Sequence, residues 1–318
     1  MADINRENMD TIFRGLRSDF EGGLKHGMAQ SADTFVTTIQ SGTASERFDW
    51  LGDLPEMREW LGPRHIHQLA THKYEVFHRE WEVTLRALRN DIQDDRIGIY
   101  KQQAFSGGEA AGLLKVRLAC ETLDAGDANL CYDGQFFFDT DHPVGEDGDI
   151  ESGSNFLNAG GASTASPWYI MDLSRSVKPI IITDREAATF VSYTNWSDEH
   201  VFFNREFLYG AQARMGAGYG LWQTCIRNEG ELNVANLMAT RYAMSQFKGD
   251  KKNPAGNRKL LGMNGKVLVC GMANEEKALA SIKNPALVSR TDSLAVAASN
   301  AQNPAYNLFQ IVVVNWLP

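Results

Sequence analysis

The chain has 318 residues, 43% hydrophobic and 22% charged, with a formal net charge of −9 and a pI near 5.3. That is the composition of a folded globular protein, long enough for two domains or one large one with excursions. The acidic balance argues against nucleic-acid binding as its main task, because phosphate contacts need clustered Lys and Arg. No stretch approaches the roughly 18 apolar residues of a membrane span, and Met1–Arg6 lacks the apolar core of a signal peptide, so no membrane partner is expected.

Asn5 to Gly27 reads as an amphipathic helix, with Met9, Ile12, Phe13, Leu16 and Phe20 at three- and four-residue steps. Gly22, Gly23 and Gly27 weaken its end. Its single apolar stripe must dock, either on its own body or on another copy. Phe35, Val36 and Ile39 suit a short strand, and an aromatic patch follows at Phe48–Leu51 and Glu59–Arg64. Two polar segments, His65–Glu80 and Trp81–Asn90, then read as a projecting β-hairpin. Trp81, Val83 and Leu85 alternate with Glu82, Thr84 and Arg86 at the strand period, while the first segment contributes Tyr74 and Val76. Such a ribbon is marginal alone and needs another surface, which points to assembly rather than catalysis.

The acidic knot Asp91–Asp95 follows, flanked by Arg89 and Arg96, with Asp94 and Asp95 expected in ion pairs. Ile97 to Leu123 is alanine-rich and helical, although Gly107-Gly108 lowers its propensity. Leu130–Phe138 carries an Asp-Gly turn between short strands, and residues 139–166 read as a small-residue, exposed loop. Strands are expected at Trp168–Met171, Pro179–Ile182 and Thr189–Thr194, with two more within Phe202–Cys225, where the glycines mark a bend or a close backbone approach. Asn233–Phe247 reads as a helix, Lys248–Arg258 as a polar turn and Lys266–Cys270 as a strand. Asn274–Ile282 reads as a helix capped by Asn274, and Leu308–Val314 as a last apolar strand. The class is α+β.

Chemistry finds little footing. His65, His67, His72 and His78 invite a zinc reading, but lack nearby cysteine and the helical His-Glu-x-x-His spacing. Asp133, Asp139, Asp141 and His142 could form a hard-cation loop, yet miss the EF-hand spacing and suit turn and capping roles. Gly216, Gly218 and Gly220 have the wrong spacing for a dinucleotide site. The cysteines at 120, 131, 225 and 270 form no C-x-x-C pair and read as buried thiols of a reducing cytoplasm. No catalytic residue, metal site or cofactor is assigned.

Several stretches resemble the Mu-like phage major head subunit (gpT) family. They are Phe48–Gly52, Tyr74–Val76, Trp81–Leu85, Arg89–Tyr100, Tyr132–Pro143, Trp168–Asp172, Tyr209-Gly210, Arg214 and Gly218–Gln223. The resemblance implies a Hong Kong 97-type major capsid fold. It would have an N-terminal arm over residues 1–40, a lead-in to the peripheral domain over 41–64, an E-loop hairpin over 65–96 and a spine helix over 97–124. Peripheral sheet interleaved with axial segments would take 125–227, mainly axial domain 228–305, and a C-terminal strand 306–318. The implied function is a major head protein that forms hexamers and pentamers of an icosahedral shell around packaged double-stranded DNA. A nanocompartment shell enclosing protein cargo is the alternative.

The residues then expected between subunits are Tyr74, Val76, Trp81, Val83, Leu85, Arg89, Asp94, Asp95 and Arg96 of the E-loop and its base. Ile12, Phe13, Leu16 and Phe20 of the arm join them. Expected partners are further copies, a scaffolding protein, a portal and a decoration or cementing protein, with DNA only as enclosed cargo. Because the sequence begins at Met1, no cleaved scaffold domain is expected; no lysine–asparagine crosslink pair is identified, so noncovalent locking is expected. The expected place is the virion capsid, after synthesis in a bacterial host cytoplasm.

Overall fold

The computed structural model describes residues 6–30, 33–51, 74–94, 96–146, 149–158, 166–193, 199–252, 256–288 and 298–318. In chain order, α1 (Arg6–Gln30) leads to β1 (Val36–Gln40) and β2 (Ser45–Arg47). β3 (Glu75–Phe77) and β4 (Arg79–Leu88) precede a short α2 (Arg89–Gln93) and the long α3 (Ile97–Asp124). Next come β5 (His142–Glu146), β6 (Asp149–Gly153), β7 (Phe156–Leu157) and β8 (Trp168–Met171). The long strands β9 (Ile180–Tyr193) and β10 (Glu206–Tyr219) flank α4 (Glu199–Asn204). The last third holds β11 (Cys225–Asn228), α5 (Val234–Ser245), β12 (Lys248–Lys252), β13 (Arg258–Leu260) and β14 (Val267–Cys270). It ends with α6 (Glu275–Lys283), β15 (Ala286–Val288), β16 (Ala298–Gln302) and β17 (Gln310–Val313).

Two sheets organise these elements. The first has the order β1-β9-β10-β4, with β1 parallel to β9 and the rest antiparallel. The second runs β17-β14-β8-β11-β7. Its central strand β8, Trp168–Met171, is buried at every position, as a strand covered on both faces must be. Four small ribbons complete the fold: β2-β3, β5-β6, β12-β13 and β15-β16.

Helix α3 runs along the first sheet, and α1 lies on α3. Met9, Phe13, Leu16 and Phe20 are all buried, in a cluster with Ala87, Ile92, Tyr100, Phe207, Tyr209 and Ala211. Phe13 meets Phe207 and Tyr209 edge-on, with centroids 6.0 and 6.2 Å apart. The glycines read from sequence as weak points are in fact the helix crossing. A Cβ on Gly23 would lie 1.9 Å from the Phe105 carbonyl oxygen, and one on Gly108 would lie 2.0 Å from that of Phe20. Only hydrogen at these positions lets the two backbones touch.

Several sequence expectations need correction. Of the expected strand Trp81–Asn90, residues up to Leu88 belong to β4 while Arg89 and Asn90 open α2, and the partner of β4 among the described residues is β10, with Glu206 opposite Leu88 and Met215 opposite Arg79. The inward Trp81, Val83 and Leu85 belong to the protomer's own core rim, so β4 is a sheet edge and not half of a free ribbon. Tyr74–Phe77 instead reaches β2, and residues 65–73 lie outside the described residues. The two strands expected at 179–194 are one strand, β9. The two expected within 202–225 are α4 followed by β10, whose irregular pairing lies at Gln212–Met215. A close backbone approach does occur in this strand: a Cβ on Gly216 would lie 2.3 Å from the Phe77 carbonyl oxygen.

The small-residue stretch after Asp139 is not simply an exposed loop. Its described part forms β5, β6 and β7, and both His142 and Asn155 are fully buried. Lys248–Arg258 likewise contains the β12-β13 ribbon. Its Lys248 and Lys252 pair with Glu151 and Asp149 of β6, so charge complementarity orders what hydrophobic patterning could not reveal. Asn274 does not cap α6 through its side chain; its Nδ2 donates to the Ser166 carbonyl, 2.8 Å away. Asn233 does cap α5, accepting from the Asn236 amide at 2.8 Å.

Candidate assembly surfaces and a buried polar cluster

The residues expected between subunits divide into buried and exposed sets. Phe13, Leu16 and Phe20 are engaged within the protomer, and Ile12 is partly buried beside them. Val76 is also buried. The Tyr74 hydroxyl accepts the Tyr219 amide at 2.7 Å, and burial raises the pKa of that phenol far above its ordinary value. The Trp81 indole donates to the Met215 carbonyl at 3.2 Å, while Val83 and Leu85 pack partly buried near α3. These side chains set the position of β4; they do not present it.

At the base of β4 the structure singles out Asp91, which sequence reading passed over. Its carboxylate accepts the Tyr100 hydroxyl at 2.6 Å, and that same hydroxyl receives the Leu88 amide at 3.1 Å. Burial and the bond to Asp91 raise the Tyr100 pKa. Arg96 stands 4.0 Å from Asp91, the Arg89 amide donates to the Arg205 carbonyl at 3.1 Å, and Asp94 closes α2 on the surface. Asp95 lies outside the described residues.

The most exposed side chains lie elsewhere. Glu82, Thr84 and Arg86 form the outward row of β4. The far end of β9 adds Val191 and Tyr193, 45% and 51% exposed, and α4 adds Phe203 at 71%. Phe77 on the β2-β3 ribbon is 67% exposed and Leu130 58%. Both line a cleft of about 440 Å³ that also includes Trp81, Leu118 and Met215.

The histidines expected at 65, 67 and 72 lie outside the described residues, and His78 Nδ1 sits 2.8 Å from the Ala44 carbonyl. The acidic loop fares differently. Asp133 and His142 come together, but with Cys131 rather than with Asp139 and Asp141. His142 Nδ1 is 2.7 Å from Asp133 Oδ2, and the Cys131 thiol donates to Asp133 Oδ1 at 2.9 Å. The His142 ring stacks on Trp222, with centroids 4.2 Å apart and planes within 8°. Burial alone would raise the Asp133 pKa, but bonds from His142 and Cys131 together outweigh it and lower the value. Burial and the adjacent Asp133 push the Cys131 thiol far up. Cys120, Cys225 and Cys270 are buried free thiols. Among the described residues no helix is long and apolar enough to cross a membrane.

Residues 9–317 match the family described as Mu-like prophage major head subunit gpT. The chain belongs to that family. It is 37% identical to the Mu-like prophage FluMu major head subunit of Haemophilus influenzae over 254 residues, 79% of this chain and 82% of that one. It is 35% identical to the major capsid protein of Escherichia phage Mu over 251 residues, 78% and 82% of the two chains. Among solved structures, the procapsid of bacteriophage JBD30 aligns with TM-score 0.77 and 34% identity, covering 96% of this chain and 99% of that one. The JBD30 capsid aligns with TM-score 0.72 and 27% identity, covering 91% of each. The fold is thus the α+β Hong Kong 97-type capsid fold, and the chain is a phage major capsid protein rather than a cargo-enclosing nanocompartment shell. Its family is one of structural proteins, not of enzymes.

Proposed function

We propose that copies of this chain assemble as hexamers and pentamers into an icosahedral shell around packaged double-stranded DNA. The observation that carries this reading is the open sheet face. In the long sheet, α1 and α3 cover one side completely enough to bury four large side chains of α1, while Val191, Tyr193 and the outward row of β4 stay bare. An asymmetric sheet of this kind is built to receive another surface, and in a head protein that surface is a neighbouring copy. The β2-β3 ribbon, with Phe77 exposed opposite Ser45, offers a second apolar position for such a contact. Asp94 and Arg96 remain as surface charges at the base of β4 for polar contacts. A net charge of −9 suits a lining that does not grip DNA.

A separate scaffolding protein and a portal belong to the same proposal, as does synthesis in a bacterial cytoplasm. A decorating protein does too: the JBD30 capsid is decorated with minor capsid protein trimers, and the exposed apolar side chains here could seat a comparable partner. The direct experiment is negative-stain microscopy of the heaviest sedimenting fraction of the expressed chain, with and without its scaffolding protein. Isometric shells or rings of five and six are expected. A stable monomer under both conditions would defeat the proposal.

A further inference from the structure

We infer that Cys131, Asp133 and His142 form a binding site for one borderline-soft divalent cation, with zinc the best chemical fit. Their donor atoms, a sulfur, a carboxylate oxygen and an imidazole nitrogen, all lie within 4.8 Å of one another. That N/O/S set is one zinc takes readily, and three protein ligands leave a fourth position for water.

The orientation of His142 gives the argument its force. The Asn155 amide nitrogen faces three backbone carbonyls, those of Phe137, Trp222 and Cys225, at 2.7, 3.4 and 3.3 Å. Its oxygen accepts the Asp139 amide at 3.0 Å, which fixes the amide's direction. The same oxygen lies 3.1 Å from His142 Nε2. An amide oxygen can only accept, so Nε2 carries the hydrogen. The other nitrogen, Nδ1, then presents a lone pair toward Asp133 Oδ2 across 2.7 Å. Two acceptors at that separation need a positive centre between them, either a proton or a metal ion. A ligating histidine whose second nitrogen is held by a fixed acceptor is the arrangement that metal centres use.

The exchange balances. With protons, the cluster holds one on the Cys131 sulfur and one between Asp133 Oδ2 and His142 Nδ1, for zero net charge. One divalent ion displaces both, leaving a thiolate, a carboxylate and a neutral imidazole around two positive charges, again zero. Two protons go to solvent, and no net charge enters a site where Cys131 and His142 are 4% and 0% exposed. Ligands around a tetrahedral zinc stand about 3.5 Å apart, so the 2.9 and 2.7 Å contacts must each open by several tenths of an ångström. The turn carrying Cys131 and Asp133 can give, since it ends at the exposed Gly134 with φ +87°.

The test uses the purified full chain, incubated with zinc sulfate, desalted and assayed for bound metal. One zinc per chain is expected, with two protons released per zinc in weakly buffered solution. Cys131→Ser and His142→Gln should abolish retention, Asn155→Leu should weaken it about ten- to a hundredfold, and Asp141→Asn, outside the cluster, should leave it unchanged. Cobalt(II) added to the unmodified chain provides a readout independent of any variant's folding. A thiolate-to-cobalt band in the near ultraviolet and strong tetrahedral absorption in the visible are expected. No retained zinc and no cobalt band in the folded chain would overturn the site and leave a proton holding Asp133 to His142. Loss of zinc in Asp141→Asn would overturn it as well, moving any binding to the acidic loop.

Discussion

Two glycines in helices carry opposite meanings, and the difference lies in what surrounds each. Gly15 of α1 has open space where a Cβ would go, whereas the Cβ of an alanine at Gly108 would strike the Phe20 carbonyl and the Leu24 amide nitrogen, at 2.0 and 2.8 Å. Gly15→Ala should therefore stabilise the chain by about 0.5–1 kcal/mol, the usual helix-propensity difference. Gly108→Ala should destabilise it by about 1–3 kcal/mol, because backbone atoms cannot step aside as a flexible side chain can. Chemical denaturation of the unassembled subunit checks both. Equal effects would mean that α1 does not hold its place on α3 in solution. A buried ion pair makes a second case at this scale. Lys115 of α3 reaches Asp184 of β9 at 2.8 Å, and Asp184 is only 2% exposed. Lys115→Met would strand that carboxylate in the core, and a loss of about 3 kcal/mol is expected. The paired change with Asp184→Asn should recover part of it, measurable by the same denaturation.

Among the elements, those with a strong local composition or period were legible in the sequence. The α1 stripe follows from side-chain spacing, the long α3 from its alanine content, and β8, β14 and β17 from short apolar runs. The elements that escaped are held by partners remote in sequence. β9 and β10 keep each other extended through polar positions such as Glu186 and Arg214. β6 and the β12-β13 ribbon are joined by opposite charge rather than by apolar faces. Asp91, Asn155 and Trp222 gave no local signal because their partners lie 9 to 80 residues away. The buried polar cluster was half legible: Asp133 and His142 stood out, but the position of Cys131 beside them depends on the turn at Gly134.

The charged joint has its own pH signature. Hydrogen bonding to Lys252 lowers the Asp149 pKa, and hydrogen bonding to Lys248 lowers that of Glu151. A carboxylate whose folded value is depressed contributes stability above its unfolded value, about 4 for these groups, and loses it as pH falls through the folded value. Amide protection in β12 and β13, relative to intrinsic exchange at each pH, should therefore fall below about pH 4, before protection in β8 does. Simultaneous loss in both would mean that the ribbon is held by something other than these pairs.

For the whole molecule the question is how a folded protomer avoids premature association yet joins its neighbours on demand. The long sheet offers an answer in its two faces. One is sealed by α1 and α3 in the protomer itself, with aromatic contacts from Phe13 and backbone contact at the glycine crossing. The other presents the β4 row Glu82, Thr84 and Arg86 beside Val191 and Tyr193; on the proposed assembly, the polar row would keep this edge soluble in the single copy while the apolar side chains meet a neighbour. Stability and assembly should then be separable by mutation. Tyr193→Asp places a charge on a half-exposed position that contributes little to the core, so the subunit's melting temperature should stay nearly unchanged. Sedimentation should show subunits or small oligomers where the unmodified chain gives fast-sedimenting shells. Phe207→Ala, by contrast, removes a fully buried ring from the α1 cluster and should lower subunit stability by about 3–5 kcal/mol, reducing shells only through loss of folded protein. If Tyr193→Asp formed shells as readily as the unmodified chain, this sheet face would not be a subunit contact, and the cleft beside Phe77 and Leu130 would become the surface to alter next.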